Sequence, residues 1–168
     1  MMRTTALCAA ILFVAAASGA NAELRVNFYE GAPKDRFRIE NAGKCALPAA
    51  TVTLDLSASS AGLIFDVTDA GAGVEVFQPF EVVEGAEVLT QVPTVSDGQS
   101  QIRLDLAGLA PGQAVAFTID VDDTLGQRAI TVSGSEIEGA TVAYTLMGEA
   151  TSAAFTRDAE ARIAVDGC

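Results

Sequence analysis

The stretch AVAFTIDVDDTLG, Ala114 to Gly126, begins as a run of strong β-formers and ends in a knot of carboxylates with no basic residue inside it. Side chains alternate across a pleated strand, so Val115, Phe117, Ile119 and Val121 share one face while Thr118, Asp120 and Asp122 share the other. With Asp123 added, three acids meet at one strand end. Carboxylates held about 7 Å apart along one face repel each other, and either exposure to water or a shared cation accounts for them. The residues alone leave that choice open.

Working outward, the rest of the chain is a series of short alternating runs separated by Gly, Pro, Asp and Asn, with almost no helical periodicity. Candidate strands are Leu24–Tyr29, Arg36–Glu40, Thr51–Leu56, Leu63–Val67, Val74–Phe77, Phe80–Val83, Gln101–Leu106, Ala114–Val121, Ala129–Val132, Thr141–Leu146 and Ala161–Val165. Arg36, Arg38 and Glu40 alternate with Phe37 and Ile39, and Thr51, Thr53 and Asp55 with Val52, Leu54 and Leu56, the pattern of antiparallel strands wet on one side. Turn signals such as Asn41-Ala42-Gly43, Asp97-Gly98 and Pro111-Gly112 fall between the runs. The expected fold is all-β: one antiparallel, immunoglobulin-like Greek-key β-sandwich. Phe37, Leu54, Phe65, Phe117, Ile119, Val132 and Val142 are its expected core, and Phe77 and Phe80 read as core rather than contact surface. Residues Glu149 to Glu160 fit a strand, a loop or a short helical turn equally well.

Met1 to Ala22 reads as a secretory signal peptide: a basic start at Arg3, an apolar run from Ala6 to Ala17, and Ala20 and Ala22 as an A-x-A cleavage site before Glu23. The run is too short to span a membrane, so the expected product is a secreted domain, residues 23–168, in the periplasm or outside the cell. A chain of that length supports one core. Losing Arg3 with the leader leaves nine basic against 22 acidic residues, a net charge of about −13. Such a balance disfavours nucleic acid and anionic lipid as partners. Of three cysteines, Cys8 leaves with the leader, and Cys45 and Cys168 remain as the default disulfide of an oxidising compartment.

Catalysis finds little to work with. The chain has no His, which removes His-based triads, His metal ligands and the usual neutral-pH proton shuttle. Lys34 and Lys44 sit in polar surroundings unlike those of an activated amine. A close carboxylate pair is nearly unavoidable among 22 acids, so it is weak evidence for glycoside hydrolysis. A stacking sugar cleft would lack Trp and have only Tyr29 and Tyr144. The chain therefore reads as a non-enzyme, with a small hydrolase ranked last.

Calcium is the candidate cofactor. Ca²⁺ takes six to eight oxygens from carboxylates, carbonyls and water, which suits acid-rich loops at one end of a sandwich. Asp120, Asp122 and Asp123 supply one group, and Asp66 and Asp69, leading into the Gly-rich loop Asp69-Ala70-Gly71-Ala72-Gly73, supply a second. Asp120-x-Asp122-x-Thr124 fails as an EF-hand, because Leu125 stands where the glycine belongs and Thr131 where the closing Glu belongs. The competing reading is a solvated carboxylate edge that blocks strand pairing. The segment Ser133–Ala140 could complete a cation shell or bind a glycan, and more simply reads as a polar connection.

The phrases Phe37-Arg38-Ile39-Glu40-Asn41, Gly62-Leu63-Ile64-Phe65-Asp66, Ala72 to Phe80, Ala116 to Thr124 and Thr131 to Ile137 resemble those of small exported bacterial proteins termed aggregation factor core. The resemblance spans nearly all of the exported chain, and Phe117 to Thr124 is its most specific part. It implies calcium-dependent adhesion to protein or glycan at a cell surface or matrix. The chain departs from related sorted surface proteins in ending at Gly167-Cys168 with no apolar tail. A secreted, non-catalytic adhesion or matrix-interaction module is thus the expected function, with a carbohydrate-binding module as the alternative.

Overall fold

A computed structural model describes residues 21–69, 77–125 and 131–165. Among them run ten strands: β1 Ala22–Tyr29, β2 Asp35–Asn41, β3 Ala50–Asp55, β4 Ile64–Asp66, β5 Glu81–Glu84, β6 Gln101–Leu106, β7 Ala114–Asp122, β8 Thr141–Leu146, β9 Glu149–Ala154 and β10 Glu160–Val165. They form two antiparallel sheets. One has the order β10-β1-β2-β7-β4, with β5 also on β7, and the other the order β6-β3-β8-β9. The chain crosses between sheets after β2, β3, β5, β6, β7 and β9, so sequence neighbours face each other across one core, as in a Greek-key sandwich.

Alternation produces this arrangement directly. In β1 and β2 every second side chain is buried, which aims Leu24, Val26, Phe28, Phe37 and Ile39 inward. All seven expected core residues are buried. Phe37 is their hub: its ring centroid lies 5.0 Å from Phe28, 5.3 Å from Phe117 and 6.3 Å from Phe65. Phe80 extends the cluster at 4.7 Å from Phe117 but is only half-buried, as is Phe77.

The outer face of the larger sheet carries ion pairs rather than bare polar groups. Arg38 pairs with Glu40 and Glu84, Arg36 with Glu84 at 2.8 Å, and Arg25 with Glu40 at 3.1 Å. The registers place these residues beside Ala114, Ala116 and Thr118 of β7. That cover buries Ala114 and Ala116 on the outer face of β7, while Val115, Phe117, Ile119 and Val121 are buried in the core.

Some boundaries differ from expectation. Leu63–Val67 shortens to the three residues of β4, because Val67 and Thr68 donate their N–H groups to Asp97 instead of a strand. Of Val74–Phe77, only Phe77 is described, and it lies outside any strand; of Ala129–Val132, the described Thr131 and Val132 are irregular, though Val132 is buried. The undecided segment after Glu149 is β9, hydrogen-bonded to β8. The strand β1 begins at Ala22, the last residue of the expected leader; the rest of that leader up to Ala20 lies outside the described residues.

Candidate functional site

The short strand β4 lies along the end of β7, pairing Ile64 with Asp122, Phe65 with Val121 and Asp66 with Asp120. Directly opposed residues share a face, so Phe65 and Val121 enter the core while Asp66, Asp120 and Asp122 stand together on the reverse side. The Cβ atoms of an opposed pair such as Asp66 and Asp120 are about 4.5–5.5 Å apart. None of these carboxylates is solvated. Asp66 is 1% exposed, Asp120 9%, Asp122 5% and Asp123 7%. Burial overturns the reading of Asp120, Asp122 and Asp123 as a water-exposed edge, and its cause is the cover that β4 and the loops around it supply.

Two further acids join the group. Asp35 is 2% exposed and bridges two backbone segments, its Oδ1 accepting from Gly31 N–H at 3.0 Å and its Oδ2 from Val121 N–H at 3.1 Å. Asp97 accepts the N–H groups of Val67 and Thr68 at 2.8 and 3.0 Å, which fastens its loop to the end of β4. Sequence reading missed both as members of the site. The signal at Asp97 was its Asp-Gly pair, which marks a turn and nothing more; Asp35 had no signal beyond preceding an alternating strand.

The electrostatics follow from crowding acids away from water. Burial, reinforced by a hydrogen bond with Asp97 and by the charges of Asp122, Asp97 and Asp120, pushes the Asp66 carboxyl up to about 7. Burial and the Asp122 charge raise Asp120 to about 7 as well. Asp35 is raised to about 7 by burial, with its two backbone donors opposing. Asp97 is held below the ordinary carboxylate range, chiefly by the Val67 N–H. In ionised form both Asp66 oxygens and Asp120 Oδ2 are buried without a hydrogen-bond donor among the described residues. A protonated Asp66 resolves part of this by donating to the Asp97 carboxylate.

Of the sequence candidates, the fold thus brings together Asp66, Asp120 and Asp122, buries Asp123 next to them in the chain, and leaves Asp69 exposed on the turn beyond β4. Among the described residues, no three acidic or cysteine side chains already stand where they could jointly grip a metal ion. The segment Ser133–Ala140 is a polar connection: Ser133 gives both its N–H and its hydroxyl to Glu136 Oε2, at 2.6 and 2.7 Å. Cys45 follows β2 and packs partly buried against the core, while its expected partner Cys168 lies outside the described residues.

No family model and no curated protein matches this chain. Among solved structures it is similar to the crystal structure of a family GH18 chitinase from Chromobacterium violaceum, at 13% identity over 79% of this chain. The match covers 18% of the chitinase chain with a TM-score of 0.36. The chain therefore spans under a fifth of that protein, and a likeness this faint says nothing about activity.

Proposed function

We propose that this chain is an exported, non-catalytic β-sandwich module for adhesion to protein or glycan at a cell surface or matrix, organised by Ca²⁺ bound where β4 meets the end of β7. The observation that carries the cation is Asp66: a buried carboxylate whose two oxygens accept no hydrogen bond among the described residues, directly opposite Asp120, whose Oδ2 likewise accepts none there. Burying an unpaired carboxylate costs several kcal/mol, and pairing with a cation is one of two ways to relieve it, protonation being the other. Calcium suits the donors available, since it completes a shell of six to eight oxygens with carbonyls and water around a few carboxylates. Two or three acids are then enough, with a small inward turn of side chains that otherwise repel one another. The adhesive role rests on the resemblance described above.

A Cys45–Cys168 crosslink belongs to the same reading. Ala42 N–H donates to Glu23 O at 2.8 Å and Lys44 N–H to Asn21 O at 3.0 Å, so the Cys45 loop is tied to the start of β1. On the other flank of β1, Ala22 pairs with Val165. Three further residues span up to about 10 Å, enough to reach that loop.

Melting curves in chelator and in millimolar calcium test the site. Binding to the folded state alone stabilises it by about 2.7 kcal/mol at a hundredfold excess over Kd, with magnesium doing less. Asp66→Asn combined with Asp120→Asn keeps the shapes and removes the charges; it is expected to match or exceed the wild type in chelator and to lose the calcium response. A wild-type melting temperature indifferent to calcium sinks the proposal.

A further inference from the structure

The two sheets differ in how their edges end. In the smaller sheet, the free side of β6 is covered: Ala107 N–H donates to Val88 O at 2.8 Å and Thr90 N–H to Asp105 O at 2.9 Å. In the larger sheet, β10 carries Glu160 and Arg162, and Arg162 is ion-paired to both Glu160 and Glu23. On the opposite side, β4 has only three residues, and β5 is irregular between Val82 and Glu84 and bears two glutamates. Short length, charge and irregularity are the devices that stop an edge from recruiting another strand. The edge strand β9 carries one charge, Glu149 beside the turn, and none of these devices beyond it. From Ala150 to Ala154 it contains no charge, no proline and no bulge, and all but Ala153 of these residues are exposed.

The direction of its backbone groups follows from the hairpin. Met147 and Gly148 both have positive φ, 51° and 90°, and form the two-residue turn between Leu146 and Glu149. The residues flanking such a turn are a hydrogen-bonded pair, so Glu149, Thr151 and Ala153 point their N–H and C=O groups at β8. Phe155 N–H, donating to Ala140 O at 2.8 Å, keeps the same phase. Ala150, Ser152 and Ala154 therefore point theirs outward. Among the described residues no backbone group meets them. Beside this edge the two sheets part in an open groove of about 370 Å³, lined mainly by Tyr144, Leu146, Met147, Thr151, Ala164 and Val165, with Met147 97% exposed.

We propose that the β9 edge and this groove form a self-association surface, on which a second copy adds its own β9 antiparallel about a two-fold axis through Ser152. In that register Ser152 faces Ser152, Ala150 faces Ala154 and Thr151 faces Ala153, so all three outward-pointing residues of each copy find hydrogen-bond partners. The sheets become one continuous eight-stranded sheet, and the added strand extends over the groove between β9 and β10. Charge selects this site for a second copy. A chain of net charge −12 repels its twin across most surfaces, whereas this register sets no charge against a like charge. The buried acids lie on β7 and β4 and at the start of β2, at least two strands across the sheet from β10, on the side away from the partner. An interface of this kind is isologous and closes on itself as a dimer.

Sedimentation of the protein from micromolar to near-millimolar concentration tests this. The expected result is a monomer–dimer equilibrium that strengthens with salt, as screening reduces the repulsion between acidic copies. Ser152→Pro removes an N–H that β8 does not use, and Ser152→Lys sets two like charges against each other at the axis. Each is expected to weaken association tenfold or more with the monomer's far-UV spectrum unchanged. Should the proline variant fold poorly, the lysine variant decides. Ser152→Cys is expected to give a disulfide-linked dimer on oxidation, since Cα atoms of a hydrogen-bonded pair are about 5.5 Å apart. A wild type that stays monomeric throughout, or a dimer indifferent to Ser152→Lys, overturns the proposal.

Discussion

Asp66, Asp120 and Asp35 make the proton and a divalent cation rivals. An unfolded Asp titrates near 3.9, and these three are raised to about 7 in the fold. Between those values the native state holds more protons than the unfolded chain, so stability falls as pH rises from about 4 to 7 and levels off above. Carboxylates lowered by their partners, such as Asp97 and Glu40, act oppositely but only at more acidic pH. In chelator, the melting temperature is therefore expected to be lower at pH 8 than at pH 5. Millimolar calcium should recover the loss at pH 8 and add little at pH 5, where protons already occupy the oxygens. A flat profile between these pH values would contradict the electrostatic description of the site. At this scale the sequence showed which acids share a face of β7, because alternation is a local property. It did not show that they are buried, since burial depends on β4 and a loop brought from elsewhere in the chain.

The central element is β7, paired with β2 along one side and with β5 and β4 in turn along the other. Phe117 sits at its middle, fully buried between the rings of Phe37 and Phe80. Phe117→Ala is expected to cost about 3–5 kcal/mol, because the surrounding core can collapse only partly into the space a buried ring leaves behind. Chemical denaturation measures this, and a loss under about 1 kcal/mol would mean the core is not organised around that ring. Strong alternation made β1, β2, β3, β6, β7 and β8 legible to within two residues at each end. The strand β9 is not legible in the sequence because its residues from Ala150 to Ala154 are small or polar and mostly exposed, so no apolar period marks them. What holds it is the Met147-Gly148 turn and the ladder to β8, neither of which depends on a hydrophobic face.

On the scale of the molecule, the first and last strands meet. The strands β1 and β10 lie side by side with the Cys45 loop against the start of β1, so a Cys45–Cys168 bond would close a loop of about 124 residues. Mass spectrometry of the unreduced protein is expected to find that crosslink. Cys168→Ser should then lower stability by about 2–5 kcal/mol, less if β10 is already well held by β1. Two alkylatable thiols in the native, oxidised protein would refute it. By itself the sequence determined the all-β class, the two-sheet sandwich and its core residues, because the alternation of apolar and polar side chains is written residue by residue. Only the tertiary structure decided that Asp66 faces Asp120, that Asp35 and Asp97 join them, and that β9 is left with an open edge. Each of these depends on which distant strands lie next to one another, and neither strand order nor register is encoded in any one segment.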